Sequence, residues 1–389
     1  MKFYIAKVLR GKKTMKSQSK VLFITNYPSP YRVDFWNLLG QSVDLTVSFT
    51  SSPKDQTHRS SKWFNLNYDH FRPVFLENKR RFFGKTIFTD IVPLIKEGWN
   101  CIILGGYSSF TAMYAIEYMR LHRISFWLEA DGGLISKDSL LIYLVKKHFV
   151  SAASWWFSSG KTTSEYFKHY GADEDKIFEY PFTSLTEEDL RQAEIKSRSD
   201  KKSMRKKLNI AEDKVVLSVG RFSYNRGYGK GYDVLLRSAE SFDKSIGVYI
   251  VGDEPTEEFV NWKQEKQLTN VHFVGFKTKT ELAEYYIAAD VLAMPTRGDV
   301  WGLVVNEALS YGLPVVSSDK CVAALDFIKN EYNGYIVPVE DSDALTEGIS
   351  KVLAGDYDSM SSAALQSVRD YTIENMAKRH LEVIEQFKD

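Results

Sequence analysis

A chain of 389 residues, 44% hydrophobic and 26% charged, is long enough to bury two cores of ordinary domain size without disulfides or metal. No apolar run approaches the roughly 18 residues that cross a bilayer, which argues against membrane-spanning helices. Cys101 and Cys321 lie far apart, with no C-x-x-C spacing and no His cluster, and read as two buried thiols in a reducing cytoplasm. The net charge of +1 hides an asymmetry: residues 1–185 carry 25 Lys+Arg against 16 Asp+Glu, and residues 186–389 carry 26 against 34. The basic half is therefore expected to face an anionic partner.

Met1–Lys20 is basic but broken by Lys7, Arg10, Lys12 and Lys13, so it lacks the apolar stretch of a secretory signal and reads as a basic tail. From Val21 the pattern is strand, turn, helix: Val21–Thr25, the turn Asn26-Tyr27-Pro28-Ser29-Pro30, helix Tyr31–Leu39, strand Val43–Phe49. It returns with strand Cys101–Leu104, a Gly105-Gly106 turn, helix Ser108–His122, strand Ile124–Leu128, strand Ser154–Ser158 and helix Lys161–Tyr170. Lys79-Arg80-Arg81-Phe82-Phe83 mixes cations with bulky rings, and Trp155-Trp156-Phe157 follows the mixed stretch Leu141–Val150. Both suit a lipid headgroup layer, although solvated charges and core aromatics explain them equally well.

Between Phe182 and Lys207 the pattern dissolves into a polar stretch that reads as an interdomain connection. A second series follows: strand Lys214–Val219, a glycine-rich loop, helix Tyr232–Phe242, strand Gly247–Val251, helix Thr256–Gln267, strand His272–Val274, helix Lys279–Ala288 and strand Val291–Met294. Ser342–Leu353 and Met360–Phe387 read as helical, the last helix reaching back to the first half. Alternating strands and helices predict two doubly wound parallel sheets.

The loop Gly220-Arg221-Phe222-Ser223-Tyr224-Asn225-Arg226-Gly227-Tyr228-Gly229-Lys230-Gly231 leaves a strand at the edge where open α/β sheets bind ligands. Tyr224 and Gly231 stand where a P-loop needs Gly and Ser or Thr, and the glycine spacing also fails the dinucleotide fingerprint. What remains is an Arg and a Lys flanking flexible backbone, suited to a departing pyrophosphate; a mobile surface loop is the plainer alternative. In Thr296–Leu309, Asp299 precedes a helix and Glu307 lies more than a turn inside it. Two carboxylates so spaced suit the hydroxyls at either end of a nucleotide sugar, and the amides of Gly302 and Leu303 suit the phosphate between them. An N-capping Asp299 with a solvated Glu307 would look the same.

Gly220-Arg221, Lys230-Gly231, Val251-Gly252-Asp253, Val274-Gly275, Ala289-Asp290, Asp299–Glu307 and Tyr311-Gly312-Leu313-Pro314-Val315-Val316 follow one another as in retaining glycosyltransferase family 4, which residues 215–355 resemble. The resemblance implies a GT-B fold: two doubly wound Rossmann-like domains facing a central cleft, with a C-terminal helix crossing back to the N-terminal domain. The divisions expected are a basic tail 1–20, an acceptor-binding domain 21–190, a nucleotide-sugar-binding domain 208–370 and the returning helix 371–389. It also casts Gly220, Arg221 and Lys230 at the donor diphosphate and Asp299 and Glu307 at hexose and ribose; the family has Glu where this chain has Asp299. Asn26–Arg32 resembles the first loop of members acting in bacterial surface-polysaccharide assembly, which places Pro30 and Tyr31 in the acceptor cleft. Relatives carry a His-Asp pair where this chain reads Leu128-Glu129-Ala130-Asp131, so Glu129 or Asp131 is expected at the sugar or acceptor, an Asp-Gly turn being the alternative.

The expected reaction is retaining transfer of a hexose from a nucleoside-diphosphate sugar to a glycan or lipid-linked acceptor, with Arg221, Lys230, Asp299 and Asp131 at the chemistry. A UDP-sugar is preferred to a GDP-sugar, with no metal and no other cofactor. The site of action is the cytoplasm, at the inner face of a membrane. Asp341-Ser342-Asp343 matches a manganese-binding pattern but precedes a helix and reads as its cap. Hydrolysis by paired carboxylates and nucleic-acid binding fit less well. A non-catalytic nucleotide-sugar or polyanion-binding protein is the competing reading.

Overall fold

The computed structural model describes residues 18–50, 66–82, 84–197 and 200–387; residues 1–17 of the basic tail and Phe83 lie outside them. Among the described residues of the first half nine strands form: β1 (Lys20–Thr25), β2 (Asp44–Phe49), β3 (Arg72–Phe75), β4 (Lys79–Phe82), β5 (Lys85–Phe88), β6 (Cys101–Gly105), β7 (Trp127–Ala130), β8 (Trp155–Ser158) and β9 (Ile177–Glu179). Seven pair in the order β3-β2-β1-β6-β7-β8-β9, all parallel, while β4 and β5 make a separate hairpin. Val21, Leu22, Phe23 and Ile24 are all buried, as a parallel strand covered by helices on both faces requires.

The second half contributes β10 (Lys214–Val219), β11 (Ile246–Val251), β12 (Val271–Val274), β13 (Val291–Met294), β14 (Val315–Ser318) and β15 (Gly334–Val337), ordered β12-β11-β10-β13-β14-β15 and again parallel. Each sheet reverses its order once, between β1 and β6 and between β10 and β13. The loops leaving those four strands therefore splay apart and leave a crevice at each switch point.

Residues 182–197 and 200–207 are more regular than their polarity suggests. They contain helices Glu187–Ser197 and Lys201–Lys207, the second tied to the C-terminal sheet where Arg205 Nη2 meets Asp290 Oδ2 at 2.6 Å. Residues 360–387 form two helices rather than one, Tyr357–Ser367 and Ile373–Gln386, the second capped by Thr372, which accepts from the Asn375 amide. Helix Ile373–Gln386 crosses back onto helix Pro30–Gly40. Its His380 ring stacks 4.3 Å from Phe157, and the Phe387 ring lies 5.4 Å from Trp127 and 5.2 Å from Trp155. Trp155-Trp156-Phe157 is accordingly strand β8, with Trp156 and Phe157 buried, and does not face a membrane. Asp341 caps helix Ser342–Ala354, its Oδ1 accepting from the Ala344 amide at 2.8 Å.

Candidate functional site

The loop after β10 is shaped by its neighbours. Asp253, at the end of β11, accepts from the amides of Phe222 and Ser223 and pins the turn that carries Arg221. A Cβ on Gly252 would lie 1.8 Å from the Gly220 carbonyl oxygen, so the close approach of these two strand ends needs glycine. Asn225, Arg226 and Gly227 all have positive φ (48°, 54° and 91°), a strained run that needs external support. Arg297 supplies it: its amide and the Thr296 hydroxyl donate to the Gly229 carbonyl, and its guanidinium donates to the Tyr228 carbonyl at 2.6 Å. Buried Asp233 holds that guanidinium at 2.7 Å.

This scaffold sets Lys230 against Asp299, Nζ to Oδ2 at 2.5 Å. Gly220, Arg221, Lys230, Asp299, Val300 and Val304 line one cavity of about 540 Å³, within the range of small-ligand sites. Arg221 is exposed at it. Asp299 is no helix cap, because Gly302 (φ 102°) opens helix Leu303–Ser310.

Three residues expected at the donor stand outside this lining. Glu307 is not among the residues lining this cavity; its carboxylate accepts from Tyr286 at 2.9 Å and from Ser184 at 3.4 Å. Burial pushes it above the usual carboxylate range, against those hydrogen bonds. Gly302 and Leu303 are also outside the lining, and Gly302 is packed against Cys321 and Met294, where an added Cβ would meet Cys321 Sγ at 2.5 Å.

A second cavity, about 690 Å³, opens at the switch point of the N-terminal sheet, lined by Ser29, Tyr31, Arg32, Asp131, Tyr107 and the helix Leu140–Val150 among others. Tyr31 lines it; Pro30 does not, serving as the first residue of helix Pro30–Gly40. Glu129 lies at the wall of this cavity beside Asp131, held there as a buried charge. It has no exposed surface, Arg32 Nη2 lies 2.6 Å from its Oε1, and Tyr180 and His380 take the rest of its carboxylate at 3.1 and 3.3 Å. Burial opposes its ionisation, but the Arg32 guanidinium and His380 outweigh that and hold it below the usual range. Arg32 is itself stacked among Phe23, Phe35 and Trp36, and its Nη1 has no hydrogen-bond partner.

Asp131, by contrast, keeps 41% of its side chain exposed, 3.7 Å from Arg32 Nη1. Its carboxyl is raised above the usual range by desolvation, with repulsion from Glu129 adding to it and the pull of Arg32 opposing it. Gly132 and Val300 line both cavities, which therefore meet beside Asp131. A Cβ on Gly132 would sit 1.6 Å from the Val300 carbonyl oxygen, so this glycine lets the two domains touch there. Sequence reasoning assigned no role to Arg32, Asp253, Arg297 or His380. Asp253 was visible as the end of Val251-Gly252-Asp253, whereas the Glu129–His380 contact spans 251 residues and left no local trace.

Residues 200–369 match the family model described as glycosyl transferases group 1. An uncharacterised 41.2 kDa protein of the cps region of Klebsiella pneumoniae is 34% identical over 155 residues, 39% of each chain. The amylovoran biosynthesis glycosyltransferase AmsD of Erwinia amylovora is 26% identical over 172 residues, 43% of this chain and 47% of that one. These curated relatives are thus matched over less than half their length. The crystal structure of Anabaena HepE in complex with UDP and glucose superposes with a TM-score of 0.70 at 16% identity, covering 95% of this chain and 100% of that one. The fold is GT-B, and its C-terminal half carries the likeness to group 1 glycosyltransferases.

Proposed function

We propose that the protein is a retaining glycosyltransferase that moves a hexose from a nucleoside-diphosphate sugar to a hydroxyl of a glycan or lipid-linked acceptor, without a metal. The observation that carries the reading is the meeting of two cavities at Gly132 and Val300, one holding Arg221, Lys230 and Asp299, the other Asp131. Arg221 and Lys230 would hold the diphosphate and take up charge as the bond from the anomeric carbon to the β-phosphate oxygen breaks. The acceptor oxygen bonds to that carbon from the same face, and its proton passes to the departing phosphate. Fixed cations at a developing anion stabilise it without reorganising at the moment of reaction. The likeness to a protein solved with UDP supports a UDP-sugar donor. The charge asymmetry supports work at the cytoplasmic face of a membrane.

A thermal-shift panel of UDP- and GDP-sugars tests the donor site in the wild type and in Arg221→Ala. One UDP-sugar should stabilise the wild type and not the variant; equal shifts in both would remove Arg221 from the site. Nucleotide release under turnover separates an enzyme from a binding module. Donor binding with no release against any acceptor would favour the second.

A further inference from the structure

Large apolar side chains exposed singly are ordinary, but a contiguous set is not. Helix Leu140–Val150 exposes five of its first six residues: Leu140 (75%), Leu141 (73%), Ile142 (50%), Leu144 (51%) and Val145 (43%). The sixth, Tyr143, packs on His169 and Tyr170 and anchors the helix. Its far end is tied to the neighbouring helix Phe110–Leu121, where His148 meets Glu117 at 2.5 Å. That neighbour adds exposed Phe110 and Tyr114, one turn apart on the same face.

The surroundings are basic. The β4–β5 hairpin presents exposed Lys79, Arg80, Arg81 and Lys85. It docks on the start of helix Phe110–Leu121, where Phe88 donates its amide to Thr111 and Lys85 lies over the Phe110 ring. Asp138 is paired with Lys146 at 2.9 Å and Glu117 with Arg120 and His148, while beside the hairpin Asp90 accepts from the Glu77 and Asn78 amides and Glu77 is an exposed carboxylate among four exposed cations. An apolar helix face, with a net-basic hairpin on the adjoining helix, matches an anionic lipid surface, into whose headgroup boundary such a helix sinks.

We propose that helix Leu140–Val150, together with the β4–β5 hairpin on the adjoining helix Phe110–Leu121, docks this domain on a bilayer bearing anionic lipids. Leu141, Ile142 and Val145 also line the 690 Å³ cavity, so docking brings that cavity to the lipid surface, and the acceptor it receives is lipid-borne. This rests on the glycosyltransferase reading for the acceptor, though not for the docking itself.

The test is flotation of the full chain with phosphatidylcholine vesicles and with phosphatidylcholine–phosphatidylglycerol vesicles, alongside the donor thermal shift. Wild type should float with the anionic vesicles and lose binding as salt rises. Leu140→Glu/Leu144→Glu, at positions outside both cavity linings, should bind about tenfold or more weakly while keeping the donor shift. Arg80→Glu/Lys85→Glu should bind the anionic vesicles more weakly and keep the same shift. Wild type that ignores vesicles yet responds to donor would overturn the docking and leave the enzyme reading standing. Vesicle binding without a donor response would do the reverse. Flotation unchanged in the leucine variant would overturn the assignment to this helix. A vesicle-free dimer that the same variant converts to monomer would give the face to a second copy of the chain.

Discussion

Lys230 Nζ lies 2.5 Å from Asp299 Oδ2, each side chain about one-fifth exposed, so the two opposite charges at the cavity proposed for the donor neutralise each other before any ligand arrives. A diphosphate must draw Lys230 from that pair or share it. Replacing Lys230 with Ala should therefore remove a fixed cation from the leaving group and lower kcat by about 10²–10³. Steady-state nucleotide release measures this, and a loss confined to KM would move Lys230 from leaving-group stabilisation to plain donor binding.

Asp299→Asn distinguishes two roles for the carboxylate. If Asp299 grips sugar hydroxyls while competing with phosphate for Lys230, the variant should bind UDP at least as tightly as wild type, yet turn over the UDP-sugar about tenfold more slowly or worse. Calorimetry with UDP and turnover with the sugar nucleotide read the two separately. Weaker UDP binding would instead make Asp299 the support that aims Lys230 at the phosphate.

Gly252→Ala tests whether Arg221 depends on its frame. The added methyl would fall 1.8 Å from the Gly220 carbonyl oxygen and force the ends of β10 and β11 apart, carrying the Asp253-pinned turn with them. Donor-induced stabilisation should shrink towards that of Arg221→Ala while far-UV circular dichroism stays that of the wild type. A full donor shift in a folded Gly252→Ala variant would show that the turn tolerates the displacement.

Much of the fold was legible because period-2 and period-3.6 apolar patterns are local. Strands Lys214–Val219 and Val291–Met294 and helix Lys279–Ala288 lie where the pattern puts them. Helices Glu187–Ser197 and Lys201–Lys207 escaped because they bury little and draw support from distant charges such as Asp290. At the site, Arg221, Lys230 and Asp299 share a cavity as their positions at strand ends suggested. The burial of Glu129 was not legible, because an acidic residue ending a strand looks the same in sequence whether it meets solvent or a buried guanidinium. Only the return of the C-terminal helix, which delivers His380, decides between them.

Glu129→Gln should leave the buried Arg32 guanidinium without its nearer ionic partner, only the half-exposed Asp131 remaining at 3.7 Å. Removing one member of a buried pair costs about 3–5 kcal/mol, because the surviving charge stays desolvated. Urea unfolding followed by fluorescence should show a midpoint shift of that size with an unchanged m-value. Donor binding, some distance away in the other domain, should persist below the transition. A stability loss within about 0.5 kcal/mol, as for an ordinary surface substitution, would show that the network is not a stabilising tie.

The same network fixes the direction of the pH response. Glu129 is held below the usual range in the folded protein, so its stabilising contribution is present above the unfolded value of about 4.3 and is lost as pH falls below it. Asp131 is raised and acts with the opposite sign: it binds its proton more readily when folded, which favours the folded state as pH falls through the same region. Wild type should therefore lose stability on acidification less steeply than Asp131→Asn, which keeps the Glu129 term and drops the compensating one. Urea midpoints between pH 7 and pH 3 measure the two slopes. If Asp131 must be ionised to meet the acceptor, activity should also fall on the acid side at a higher pH than an ordinary aspartate would set. Identical stability profiles in wild type and Asp131→Asn would show that Asp131 titrates as a free surface carboxyl and has no part in the Arg32 network.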